Sequence, residues 1–117
     1  MAEKIGGLNG FQIADDNTLY GPLFFRGKIV KMNIETGEAS DIATGLAMPS
    51  AVKIEADGHL IALEFNKGDV VRINPQTGDK KILAEVPPPA DNLAIAKDGT
   101  IYVSSTAYNG ITSIDPT

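Results

Sequence analysis

A phrase of 41 residues recurs along this chain, and the period restricts the fold more than any other feature. Ile13, Ile54 and Ile95 stand 41 residues apart, as do Asp16, Asp57 and Asp98, and again Asn33, Asn74 and Asp115. The middle copy, residues 54–78, reads IEADGHLIALEFNKGDVVRINPQTG. The first, 13–37, reads IADDNTLYGPLFFRGKIVKMNIETG, and the third starts at Ile95. No insertion separates them, so each copy must build the same unit and stack on its neighbour.

Turn chemistry divides each unit. In the middle copy the runs 50–55, 59–65, 69–74 and 79–85 are separated by Asp57-Gly58, Asn66-Lys67-Gly68 and Pro75-Gln76-Thr77-Gly78. Asp-Gly is a tight-turn dipeptide because glycine accepts positive φ without a Cβ clash. Val70, Val71 and Ile73 are apolar within a short run rich in β-branched residues, which suits a strand. Glycines and prolines every eight to ten residues rule out helices long enough for a helical repeat of this period. Four short strands repeated at about 40 residues describe a β-propeller blade. The sequence predicts an all-β chain of three four-stranded blades, with inner strands near 10–14, 51–55 and 92–96.

The repeats run over about 8–48, 49–89 and 90–117, and the third stops one outer strand short. Residues 1–5 fall where that strand is missing in the repeat frame, so they are expected to complete the third sheet. Three blades are fewer than the roughly four to eight of a closed propeller. The expectation is a homodimer that completes a six-bladed ring, the alternative being a fragment of a longer propeller. An open half ring would leave the apolar faces of its terminal blades exposed.

Composition excludes several function classes. There is no cysteine, hence no disulfide framework, thiolate nucleophile or cysteine metal site. Net charge is −5 and the basic residues are scattered singly, so the basic stripe of a nucleic-acid binder is missing. The start, MAEKIGGLNGF, lacks the apolar run of a signal peptide, and no stretch approaches membrane-spanning length. A cytoplasmic protein without membrane contact is expected. With a single histidine, His59, placed after a hairpin turn, no serine triad can be assembled around a second base.

The segments VKIEADGHLIALE and LAIAKDGTIYVSS resemble blades of six-bladed propellers of the gluconolactonase, senescence marker protein and luciferin-regenerating enzyme group, which shares its architecture with strictosidine synthase-like proteins and paraoxonases. Residues 89–95, PADNLAI, and 8–11, LNGF, are similar to the way a blade begins in that group. The resemblance implies a divalent cation, often Ca2+, held in the central channel by Asn and Asp side chains, with a glutamate from another blade. The cation would polarise a lactone carbonyl, while an aspartate or bound water moves the proton. Carried over, the metal ligands are Asn9, Asp91 and Asn92. The middle repeat departs from the pattern with Ser50-Ala51, and neither the group's initial glutamate motif nor its arginine clamp is present.

Read by themselves, Asn9, Asp91 and Asn92 are oxygen donors of the type calcium or magnesium takes. Equally, Asn and Asp at strand starts satisfy turn backbone groups. Glu64 interrupts the apolar run IALEF where the other repeats have Leu23 and Ser105. It is either a channel-mouth ligand or base, giving Asp91 and Glu64 as the catalytic candidates, or an exposed strand end. Gln12 and Lys53 occupy equivalent positions on inner strands and are candidates to line the channel. Asp16, Asp57, Asp98, Thr36-Gly37 and Thr77-Gly78 read as turn chemistry. Two functions compete: a metal-dependent lactonase or esterase-like hydrolase, and a non-catalytic propeller that binds a small ligand or a protein.

Overall fold

The computed structural model describes residues 8–15, 17–106 and 109–115. Eleven strands form three antiparallel sheets. The first is β1 (Gln12–Asp15), β2 (Thr18–Leu23), β3 (Lys28–Asn33) and β4 (Ala39–Ala43), in that spatial order. The second is β5 (Pro49–Ile54), β6 (Leu60–Glu64), β7 (Asp69–Ile73) and β8 (Lys80–Glu85). The third is β9 (Ala90–Ile95), β10 (Ile101–Ser105) and β11 (Gly110–Ile114). Sequential strands pair throughout, as in propeller blades. The expected strand completing the third sheet, residues 1–5, lies outside the described residues.

Register repeats with the sequence. Ile13 pairs with Leu19, Ile54 with Leu60 and Ile95 with Ile101. The third turn of each complete blade is the same device twice. Asn33 Oδ1 accepts the N–H groups of Glu35 and Thr36, and Asn74 Oδ1 those of Gln76 and Thr77. Thr36 and Thr77 then accept from Glu38 and Asp79. Gly37 and Gly78 close the turns at φ 77° and 79°, in the region where a Cβ would clash. At the Asp-Gly turn, Asp57 and Asp98 accept the N–H two residues on. In the first blade Asp15 does this, to Asn17, one position ahead of the aligned Asp16, which lies outside the described residues.

The blades stack because the middle sheet is apolar on both faces. Leu60 and Ala62 join Val71 and Ile73 in a cluster with Ile29, Ala43 and Leu46 of the first blade. The residues between them, Ile61 and Leu63, join Val70 in a cluster with Leu93, Ile101 and Val103 of the third. Strand alternation sends successive side chains to opposite neighbours. Inner strands meet through the backbone: Val52 N–H donates to Gly10 O at 2.9 Å, within a parallel bridge between Gly10 and Ala51. Ser50 Oγ donates to Ala90 O at 2.8 Å.

The terminal faces differ from each other. On the third blade Tyr102 is 43% exposed and Ile111 73%. On the first blade Leu19, Leu23, Val30 and Met32 are buried, with Leu8 and Ile34 packed against them. Ile13, paired with Leu19 on the same face, is nonetheless 56% exposed, so both terminal faces present apolar surface, the third blade's more openly.

Ile61 is fully buried between blades, whereas Ile82 on an outer strand is 58% exposed. Ile61→Ala is expected to lower stability by about 2–5 kcal/mol, and Ile82→Ala by less than about 0.5 kcal/mol, measured by urea unfolding. Gly68→Ala meets a harder limit: its φ is 75°, and an added Cβ would collide with the Val86 carbonyl, itself fixed because Val86 N–H donates to Gly68 O. A drop in urea midpoint larger than that of an ordinary surface substitution is expected there.

Candidate functional site

Antiparallel pairing gives the blades two ends. Pro49 pairs with Glu64 and Asp69 with Glu85 at one, the end where the inner strands start. The Asp-Gly and Asn-Thr-Gly turns form the other.

Asn9, Ser50 and Asp91 stand at the starting end of three neighbouring inner strands, and their surroundings divide them. Ser50 is buried and spends its hydroxyl on the third blade's backbone, so it is an inter-blade clamp rather than a channel residue. Asn9 is exposed, and its Oδ1 accepts the N–H of Gly10 at 2.9 Å. Exposed Asn92 likewise gives Oδ1 to the N–H of Leu93 at 2.9 Å. Each asparagine thus bonds the N–H that follows it, with one lone pair of its oxygen left over, and Asn92, within β9 opposite Ser104, borders the crevice on the third blade's free face. Asp91 is exposed beside them. These donors are of a type that suits a hard cation; its ligation there would rest on Asp91 for charge.

Glu64 is not an exposed strand end, though it stands at the end where the inner strands start, opposite Pro49. It is 5% exposed, on the face of β6 that carries Leu60 and Ala62 toward the first blade, and its Oε2 accepts the Ala47 N–H at 2.6 Å. A strand's second residue after Ala62 must share its face, which sets the carboxylate between sheets. Gln12 turns from the channel: its Oε1 accepts the Ile54 N–H at 2.8 Å and ties the first blade to the second. Lys53 is half-buried.

At the opposite end, ligand atoms of Glu55, Asp57 and His59 lie within 4.8 Å of one another, the one such group among the described residues. Two features lessen its readiness for a metal. Arg72 grips Glu55 with both ends of its guanidinium, Nε to Oε1 at 2.7 Å and Nη2 to Oε2 at 2.9 Å. His59 Nδ1 already lies 3.0 Å from Asp57 Oδ2, a contact that does not meet hydrogen-bond geometry. Sequence reading took Asp57 and His59 singly, as turn and hairpin residues. The signal it missed is Glu55 and Arg72, which align with Ala14 and Ala96, and with Lys31 and Ser113.

The turn carboxylates are tuned by local bonds. The main-chain N–H of His59, then its side chain, hold Asp57 below the usual aspartate value of 3.8. Thr100 does the same for Asp98, and Asn17 followed by Thr18 for Asp15. The hydrogen bonds that Arg72 donates to the Glu55 carboxylate raise its own pKa.

With this geometry in place, the fold can be compared. It is similar to a gluconolactonase from Xanthomonas campestris at TM-score 0.80 and 13% identity, with 95% of this chain matched to 44% of that one. It is similar to virginiamycin B lyase from Staphylococcus aureus at TM-score 0.75 and 19% identity, over 93% of this chain and 38% of the other. The WD40 propeller domain of Doa1 matches at TM-score 0.77 and 15% identity, over 94% and 37%. No family model matches the sequence, and no curated protein matches it. The chain folds as β-propeller blades. It spans between 37% and 44% of the length of these propellers.

Because these aspartates are held low, they contribute stability above the unfolded-state pKa that disappears as pH falls through their folded values. NMR titration should give midpoints below 3.8 for Asp15, Asp57 and Asp98. His59→Ala should raise the Asp57 midpoint only part of the way, because the main-chain N–H, the larger cause, survives it.

Proposed function

We propose that this chain is a binding module: one half of a six-bladed propeller, closed by a second copy, which takes a small polar ligand where its inner strands begin. The observation that supports this is the third blade's free face. Ala94, Tyr102 and Ile111 lie exposed on it, around a shallow crevice of about 250 Å³. Apolar surface of this kind marks an interaction site, and two-fold closure is the commonest way for identical chains to satisfy one. In ring closure the first blade of one copy would meet the third blade of its partner. The ligand end would then carry Asn9 and Asp91 twice around one axis, with Asn92 at the seam between copies.

The non-catalytic reading gains support from Glu64. Its carboxylate is buried between sheets and spends Oε2 on the Ala47 N–H, an arrangement that favours a structural over a catalytic use. A metal-dependent lactonase is the second reading, favoured by the likeness to a gluconolactonase and by Asp91, Asn92 and Asn9 sharing one end. In it, Ca2+ would be held by these three residues and supply Lewis-acid polarisation of a lactone carbonyl. Asp91 would provide the charge and accept the proton. Among the described residues no helix is long and apolar enough to cross a membrane.

Light scattering on an eluting column tests assembly: twice the chain mass is expected, reverting to the single mass in Ile111→Asp. A strict monomer at high concentration overturns ring closure by a second copy. For chemistry, gluconolactone hydrolysis is measured with calcium and with chelator. No calcium-dependent turnover is expected; turnover abolished by Asp91→Ala would establish the lactonase instead.

A further inference from the structure

A second pair of carboxylates is better placed to meet a cation than the residues the repeats pointed to. The register that pairs Leu63 with Val70 brings Glu64 opposite Asp69 across the β6–β7 hairpin. Directly opposed residues on one sheet face have Cβ atoms about 4.5–5.5 Å apart. Both side chains take the face toward the first blade, Glu64 in line with Ala62 and Asp69 in line with Val71. Glu64 is 5% exposed and Asp69 6%. Both line a pocket of about 240 Å³ between the first two blades, with Gly45, Leu46, Lys67 and Lys80 around it.

The two carboxylates differ in how they are satisfied. Glu64 uses Oε2 on Ala47 N–H, which leaves Oε1. Asp69 has no hydrogen bond or ion pair among the described residues, although it is more than nine-tenths buried and borders the pocket. Buried carboxylates are ordinarily paired, hydrogen-bonded or bound to metal. The lysines of the pocket do not supply this. Lys80 Nζ is committed to Thr44 O at 2.6 Å, and Lys67 stands exposed at the rim. Nor does the blade architecture demand the pair: Glu64 aligns with Leu23 and Ser105, and Asp69 with Lys28 and Gly110.

We propose that Glu64 and Asp69 form a divalent-cation site in the crevice between the first and second blades, distinct from Asn9, Asp91 and Asn92. A hard divalent ion answers two close anionic oxygen donors with two charges at once, and takes carboxylates and main-chain carbonyls as ligands. The ion would bridge β6 and β7 under the loop 44–47, adding a tie between blades where the packing is polar. Lys67 is its competitor: its ammonium group lines the same pocket and has no ion pair among the described residues.

The test is calorimetric titration of the chelator-treated chain with calcium chloride and with manganese chloride. One ion per chain is expected, with affinity in the millimolar to micromolar range, as for sites with few charged ligands. Asp69→Asn and Glu64→Gln keep shape and should each weaken binding at least tenfold. Lys67→Gln should tighten it, a gain that loss of folding cannot mimic and that decides the matter if either carboxylate variant fails to fold. Asp91→Ala and Glu55→Gln should leave the affinity unchanged. Absence of binding by either metal at millimolar concentration overturns the proposal. So does binding indifferent to Asp69→Asn, and binding lost in Asp91→Ala but kept in Asp69→Asn places the ion at Asn9, Asp91 and Asn92 instead.

Discussion

The structure depends on a sheet that has no polar face. Every residue of β6 is buried, Leu60 and Ala62 against the first blade, Ile61 and Leu63 against the third. A strand of this kind cannot sit at the edge of a two-layer protein; it needs apolar cover on both sides. The first and third blades exist as that cover, and the inner-strand bonds from Val52 to Gly10 and from Ser50 to Ala90 fix the stacking. Apolar burial provides the driving force, but it is non-directional. The backbone clamps are directional, and they set which strands end beside which.

That division explains how much was legible in the sequence. The turns were, because their chemistry is local: Asn33 and Asn74 bond the same N–H positions, and Gly37 and Gly78 take nearly the same φ. Asn109, aligned with Gly27 and Gly68, takes φ 48° without being a glycine. Asparagine is among the few residues that tolerate this region, so the turn survives the substitution. In the first blade the turn bond is made by Asp15, which accepts the N–H of Asn17, while the aligned Asp16 lies outside the described residues.

Facing was harder to read. Glu64 closes the run IALE, and a charged residue at a strand end usually points to solvent. Which face it takes follows from alternation with Ala62, but whether that face is covered depends on the first blade's Leu46 and Ala47, 17 and more residues away. Ser50 shows the converse. It aligns with exposed Asn9 and Asp91, yet it is buried, because the middle blade has neighbours on both sides and they do not. Equivalent positions in a repeat share a backbone environment, and only interior repeats share a packing environment.

The middle blade's departures from the repeat are charges, and they fall into two kinds. Glu55 and Arg72 arrive together, and the guanidinium fork satisfies both carboxylate oxygens within the chain. Such a pair is self-contained: removing either partner leaves a part-buried charge behind, while the pair itself asks for nothing from outside. Glu64 and Asp69 also arrive together, but both carry the same sign. Like charges facing each other across a hairpin repel, and burial strengthens that repulsion by lowering the local dielectric. A blade built only to stack would do better with the leucine that its first counterpart has at position 23. The second pair therefore concentrates negative charge in a crevice, lined also by Lys67 and Lys80, to a degree that stacking of the blades alone does not call for.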